Sequence, residues 1–468
     1  MLDTIRAFFN GKAYPIVVCL MMFVSYTTST EVYINLINMF LLTIGLLVSD
    51  SIRPFIAVLP AYLYQFSQKT AMPTPEGLSS LLSGKNLTVY IISFSMLILA
   101  LVVLFIKKYR EDSDVFKTVP YPIAAIILSV AFLTNGLFSD TASFSGFMYG
   151  VVQIVTFFGI FYLFFLGLHG EDNGELVEYL SFVSACIAIL ILADIIFFYA
   201  TNYSTICKDD VIDKSLLVFG WGISNTAGQC AAVLIPMCFY GVMKCKNPWF
   251  YFIAATLSMV SVFLTMSRNA MLFGSIAYIV CFILSCFFGE ERKKFAIFSS
   301  ATILGVTLFA LIFKDTTTLI LNDYVKDGLA DNGRFDLWAY AYESFKQYPV
   351  FGKGFYGLYT DAHPLQWGFP TMMHNTPLQL LASMGAVGLV AYLIYRICTL
   401  VPFFVRPTLE KTMLGMSILV VLFGSLLDNF IFYIPHMLFY PIALAIAFRI
   451  YYDDGEAKRN YFHYITRW

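Results

Sequence analysis

Apolar runs of the length that crosses a bilayer follow one another along almost the whole chain, and that repetition limits what it can fold into. A hydrocarbon core about 30 Å thick is spanned by about 20 mostly apolar residues of α-helix, which satisfies its own backbone hydrogen bonds away from water. By that measure spans are expected near 14–30, 32–48, 54–66, 87–106, 119–135, 147–168, 178–200, 223–243, 248–266, 270–288, 295–313, 376–404, 412–428 and 431–451. The third is short and contains Pro60, as a re-entrant segment would, so about 12–14 crossings are expected. The reading is an all-α, polytopic transmembrane helical bundle forming a single integral membrane domain over 1–468. A hydrophobic fraction of 59%, a charged fraction of 13% and a mean hydropathy of +0.75 exclude a soluble globular domain. The net charge of −1 argues against nucleic acid as a partner. No C-x-x-C or Cys/His spacing suggests a metal, and most cysteines lie in apolar runs as small core residues.

Most of the 29 Lys and Arg residues fall on one side of such a bundle. The positive-inside rule makes that side cytoplasmic, together with both termini. The clusters at Lys107, Lys108 and Arg110, at Lys244 and Lys246, at Arg292, Lys293 and Lys294, and at Lys458 and Arg459 carry the argument. Arg6 and Lys12 precede the first apolar run, but no small-residue cleavage site follows, so that run reads as a retained span. Arg268, between the spans ending at Met266 and beginning at Ala270, then lies on the outer side, where it has no topogenic use. It reads either as a functional cation at the membrane margin or as a snorkelling turn residue.

The interval 314–374 is the long stretch that does not fit spanning helix, and it is rich in Gly, Pro, Asp, Tyr and Trp. It reads as a large external, partly helical loop contributing to the active site. After Gly333 and Arg334, the residues Phe335, Trp338, Ala339, Tyr342 and Phe345 recur at helical spacing. They describe an amphipathic interfacial helix with Asp331 or Asn332 as its N-cap, ending at Tyr348-Pro349. The glycines of Phe351-Gly352-Lys353-Gly354 mark a tight turn, and no strand or G-K-[ST] makes them a nucleotide signature. His374 stands just before the next span, which Asn375 or Thr376 would cap, with Pro377 in the first turn. A neutral imidazole held there accepts a proton from a hydroxyl; the alternative is a plain interfacial residue. Trp338, Tyr356, Tyr359 and Trp367 are candidate sugar-stacking rings or members of an aromatic belt. Asp428 and Asn429 border the same surface as sugar contacts, while His363 and His436 read as structural.

Taken together, TMSRNAMLFG at 265–274, GRFDLWAYAYESFKQYPVFGKGFYG at 333–357 and HNTPLQLLASMGAVGLVAYLIY at 374–395 resemble the O-antigen ligase and O-antigen polymerase family. GISNTAGQCAAVLIP at 222–236 is similar to the family's asparagine-bearing helix opening, with Ser224 where a proline is usual. The resemblance covers roughly 220–400 and implies a GT-C-like membrane glycosyltransferase in the bacterial plasma membrane, with the loop on its outer face. It implies a glycan on undecaprenyl pyrophosphate as donor, the hydroxyl of another lipid-linked sugar as acceptor, and no cofactor or metal. Arg268 and Arg334 would stabilise the leaving pyrophosphate, because guanidinium offers planar paired donors. His374 would orient or deprotonate the acceptor, giving inversion at the anomeric carbon. Asn225, Asn375, Trp338 and Asp428 would bind substrate. Repeat-unit polymerisation is the preferred reading, with a flippase and a chain-length regulator as partners and ligation to lipid A core as the alternative. A transporter is the competing class. Asp194, the clearest mid-span charge, speaks for it, and the gathering of arginine and histidine at one face speaks against it.

Overall fold

A computed structural model describes residues 2–49, 51–60, 121–208, 211–220, 222–289, 292–312, 333–358, 372–405, 407–430 and 434–453, with isolated positions between 92 and 106 and at 314 and 318. Outside them lie nearly half of the span expected at 87–106, residues 61–66, and the stretches 315–317, 319–332 and 359–371 with Tyr359, His363 and Trp367. The chain is an all-α polytopic membrane protein. Its main helices are α1 (Leu2–Asn10), α2 (Ala13–Thr28), α3 (Glu31–Val48), α4 (Tyr121–Phe138), α5 (Phe144–Ile154), α6 (Ile160–Gly167), α7 (Asn173–Ile206), α8 (Ser224–Lys244), α9 (Pro248–Leu264), α10 (Arg268–Phe288), α11 (Arg292–Ile312), α12 (Arg334–Gln347), α13 (Thr376–Phe404), α14 (Leu409–Gly424) and α15 (Ile434–Asp453). Among the described residues six helices are long and apolar enough to cross a membrane, and the pair α1 and α2, bent by 65°, makes a seventh if it is one broken span. Shorter apolar helices, among them α9, account for further expected spans. Helix α7, with 34 residues, is about 51 Å long and so outruns the hydrocarbon core. Two antiparallel strand pairs follow it, Cys207–Lys208 with Val211–Ile212 and Val218–Phe219 with Gly222–Ile223.

The chain divides into two compact units. The first comprises Met1–Leu101, Gly174–Ala330 and Met416–Val421. Its centre is α8, nearly all of which is buried. Small residues let the neighbours of α8 approach closely, as they do wherever lipid removes the hydrophobic drive between helices. A Cβ on Gly228 would meet Thr265 and Ser267, and one on Gly241 would meet the Tyr251 ring. Hydroxyls fasten the same helix, with Ser258 donating to the Ala231 carbonyl (2.8 Å) and Ser181 to that of Met237 (2.7 Å).

The second unit comprises Val102–Asn173, Asp331–Gly415 and Leu422–Trp468. A π-helical turn, Val155–Gly159, separates α5 from α6, and the Phe157 carbonyl accepts the Tyr121 hydroxyl at 2.6 Å. Tyr395 hydrogen-bonds Tyr121 at 2.9 Å, so a polar thread runs through an otherwise aromatic core.

A second irregularity lies in α13. At Gly385 the backbone turns to φ 63°, ψ −158°, about 14 Å along from Thr376 at 1.5 Å per residue. The break strips helical partners from the carbonyls before it and the amides after it, which membrane-embedded backbone tolerates only where protein replaces them. The turn 349–354 does so. The Ala386 and Val387 amides donate to the Pro349 and Val350 carbonyls (2.8 and 3.2 Å), while the Lys353 and Gly354 amides donate to the Ala382 and Ser383 carbonyls (3.0 and 2.9 Å). Gly352 crosses the break at φ 71°, and a Cβ there would collide with the Ser383 and Met384 backbone. The turn chemistry legible around Gly352 and Gly354 is thus the filling of a broken helix.

Candidate functional site

The start of α13 is built as a capped helix. Asn375 accepts the Leu378 amide at 3.0 Å, and Pro377 occupies the first turn, as the sequence suggests. The cap is also a cross-link to the segment after α14, because the Asn375 side-chain amide donates to the Leu426 carbonyl (2.9 Å) and the Thr376 amide to that of Ser425 (2.9 Å). Both ends of the Asn375 side chain are engaged in this clamp.

His374, just ahead of the cap, has φ 48°, an uncommon conformation for a residue with a Cβ. Its Nδ1 lies 2.9 Å from Asp428 Oδ1; the carboxylate is 1% exposed and the imidazole 36%. Asp428 Oδ1 also accepts the Asn429 amide at 2.8 Å. An ionised carboxylate only accepts, so in the neutral imidazole beside it the proton is on Nδ1 and Nε2 presents its lone pair. Asp428, read from the sequence as a sugar contact, is buried and turned onto His374. Gln379 completes the frame: its Oε1 takes the Met373 amide (2.7 Å) and an Asn429 Nδ2 proton (3.1 Å). Sequence reasoning missed Gln379. The available signal was an amide side chain one turn inside an apolar span, where polar groups have a reason to be.

Trp338 of α12 donates its indole N–H to the Met373 carbonyl at 2.9 Å, directly before His374. Arg334, the first residue of α12, precedes Trp338 by four positions and so shares its face. The N-cap is Gly333 at φ 74° and not Asp331 or Asn332, which lie outside the described residues. The inward stripe is made of small and apolar residues. Leu337, Ala341 and Ser344 are buried, and Leu337 and Ala341 pack with Leu358, Met373 and Ala382; Phe335 and Tyr342 are 66% and 52% exposed. An outward aromatic face is at home at a membrane interface. Trp338→Phe keeps an aromatic ring but removes the indole N–H and part of the ring volume, so unfolding of the purified protein should show a loss of about 1–2 kcal/mol; no change would mean that the indole does not tie α12 to Met373.

In the first unit, Arg268 is the first residue of α10 and not a loop residue, because Ser267 caps the helix and accepts the Ala270 amide at 3.5 Å. Asn225 lies in the first turn of α8, and the contacts of Gly228 with Thr265, Ser267 and Ala270 put the starts of α8 and α10 side by side. Both Arg268 and Asn225 are half-buried. The second unit thus gathers His374, Asn375, Asp428 and Trp338, with Arg334 one turn from Trp338; the first gathers Arg268 and Asn225. Among the described residues no group of three His, Cys, Asp or Glu side chains is placed to hold a metal ion.

Residues 253–393 match the family model Wzy_C, described as O-antigen ligase. Comparison with curated proteins gave no match. The matched segment contains Arg268, Arg334, Trp338, His374 and Asn375, while Asn225 and Asp428 fall outside it.

Proposed function

We propose that the chain, whose residues 253–393 match the O-antigen ligase family model, is a glycan-transferring membrane enzyme that acts on lipid-linked glycan and joins repeat units into a surface polysaccharide. The donor is an oligosaccharide on undecaprenyl pyrophosphate, and transfer takes place with inversion on the outer face of a bacterial plasma membrane. The observation that supports this reading is the His374–Asp428 pair: a buried carboxylate fixes the imidazole so that Nε2 accepts a proton. In the step proposed, the acceptor oxygen attacks the anomeric carbon opposite the pyrophosphate and its proton passes to Nε2. The bond to the pyrophosphate oxygen breaks, and the lipid pyrophosphate leaves with the electron pair. Arg268 and Arg334 meet the charge that develops on it through paired N–H donors. Trp338 and Asn225 contact the sugars. A flippase supplying the outer leaflet and a chain-length regulator are the partners this reading carries with it.

Lysine keeps the charge but not the fork of donors, so Arg268→Lys and Arg334→Lys should each lower kcat/KM about 10–100-fold. The test is the purified protein with a lipid-linked oligosaccharide, followed by product length. A ladder of added repeats from the wild type, absent in Arg268→Ala and His374→Ala, is the expected result. Equal product from all three ends the assignment. In cells, full-length polymer that persists after deletion but is not joined to lipid A core identifies a ligase instead.

A further inference from the structure

The turn that fills the break in α13 is held from a third side. Asn135, near the end of α4 and 2% exposed, donates through Nδ2 to the Phe351 carbonyl at 3.2 Å and to the Ser383 carbonyl. One amide therefore grips both partners of the crossing, the turn and the helix. Just beyond α4, the Thr141 amide and hydroxyl both donate to the Lys353 carbonyl (3.2 and 2.6 Å). The Tyr348 phenol donates to the Asp140 carboxylate, and that bond raises the Tyr348 pKa above its ordinary value. Residues 135–141 thus form a backing for the turn 348–354, and they lie outside the segment 253–393 that matches the family model.

The position of that turn matters to the site. It follows α12 directly, so it fixes one end of the helix that carries Arg334 and Trp338. It is bonded to α13, whose start carries His374. A slip of one residue in the turn moves the chain by about 3.5 Å, whereas a displacement of about 1 Å at a reacting group can lower a rate 10²-fold. We infer that Asn135 is a positioning residue for glycan transfer, holding the 349–354 turn in the break of α13 and so fixing Arg334 relative to His374. The inference rests on the proposed transfer reaction for its kinetic consequence, but not for its structural one.

Two measurements on the full chain separate these parts. Asn135→Leu removes the amide at similar size, and Thr141→Val, nearly isosteric, removes one bond to the same turn and guards against a variant that fails to fold. Hydrogen exchange at the amides of Lys353, Gly354, Ala386 and Val387 should quicken roughly 10-fold in either variant, with α8 unchanged. Transfer from the lipid-linked donor should show kcat reduced roughly 10–100-fold, with donor KM within about threefold. A purely structural role would instead lower the amount of folded protein and leave the kcat of the folded fraction, counted as the monodisperse peak in gel filtration, at the wild-type value; that outcome overturns the inference. Unchanged exchange in both variants overturns it too. Should the wild type itself transfer no glycan, the functional reading falls, and the exchange result still decides whether Asn135 holds the turn.

Discussion

Asp428→Asn should lower turnover about 10²–10⁴-fold while the protein still folds, even though the side chain is buried and nearly isosteric with the original. The carboxylate only accepts, so in the wild type the proton sits on His374 Nδ1. The Asn429 amide also donates to Oδ1, so asparagine keeps its amide oxygen there and still accepts from Nδ1. What it removes is the negative charge that stabilises the imidazolium formed when Nε2 takes the acceptor's proton, without any movement of the ring. His374→Gln should lose a similar factor, and glutamine leaves the buried carboxylate without its imidazole, so some loss of stability is expected with it. Because the two residues act as one unit, the double variant should be little slower than either single one. Turnover of a lipid-linked donor by the purified protein decides the matter. Losses that multiply in the double variant would mean that Asp428 does not act through His374.

The second large effect concerns folding. Gly385→Ala puts a Cβ where φ is 63° and where the Val350 carbonyl already sits. The conformational strain and the forced separation of the turn together should remove about 2–4 kcal/mol of stability. Gly305, in α11, has open space around its Cα, so Gly305→Ala should leave stability unchanged or raise it by up to about 1 kcal/mol. Thermal unfolding of the two detergent-solubilised variants makes the comparison. Equal midpoints would show that the helix break tolerates a side chain and that the turn is not held as described.

Much of the bundle was legible because helix ends in this chain carry local signals. The span read at 376–404 has those limits in the structure, where Asn375 and Pro377 announce the start. The span read at 223–243 is Ser224–Lys244. The break at Gly385 was not legible, since the apolar pattern runs through it without interruption and glycine is common in membrane helices. Which face of α12 turns inward was not legible for a related reason. In a membrane protein apolar side chains need not turn inward, and Ala341 and Ser344 do so because small residues let helices approach. His374 and Arg334 stood out from the sequence by residue type and position. The partner of His374 did not, because 54 positions separate it from Asp428 and nothing local links them.

The interlocked backbone at Gly352 and Gly385 also sets the unit in which relatives of this chain can be recombined. A chimera that exchanges residues 359–371 leaves that joint untouched, whatever the length of the graft. One that takes 348–354 from one parent and 382–388 from another brings together two halves of a single mortise shaped for different counterparts. Grafts meant to alter which saccharide is accepted should therefore carry both segments from the same source.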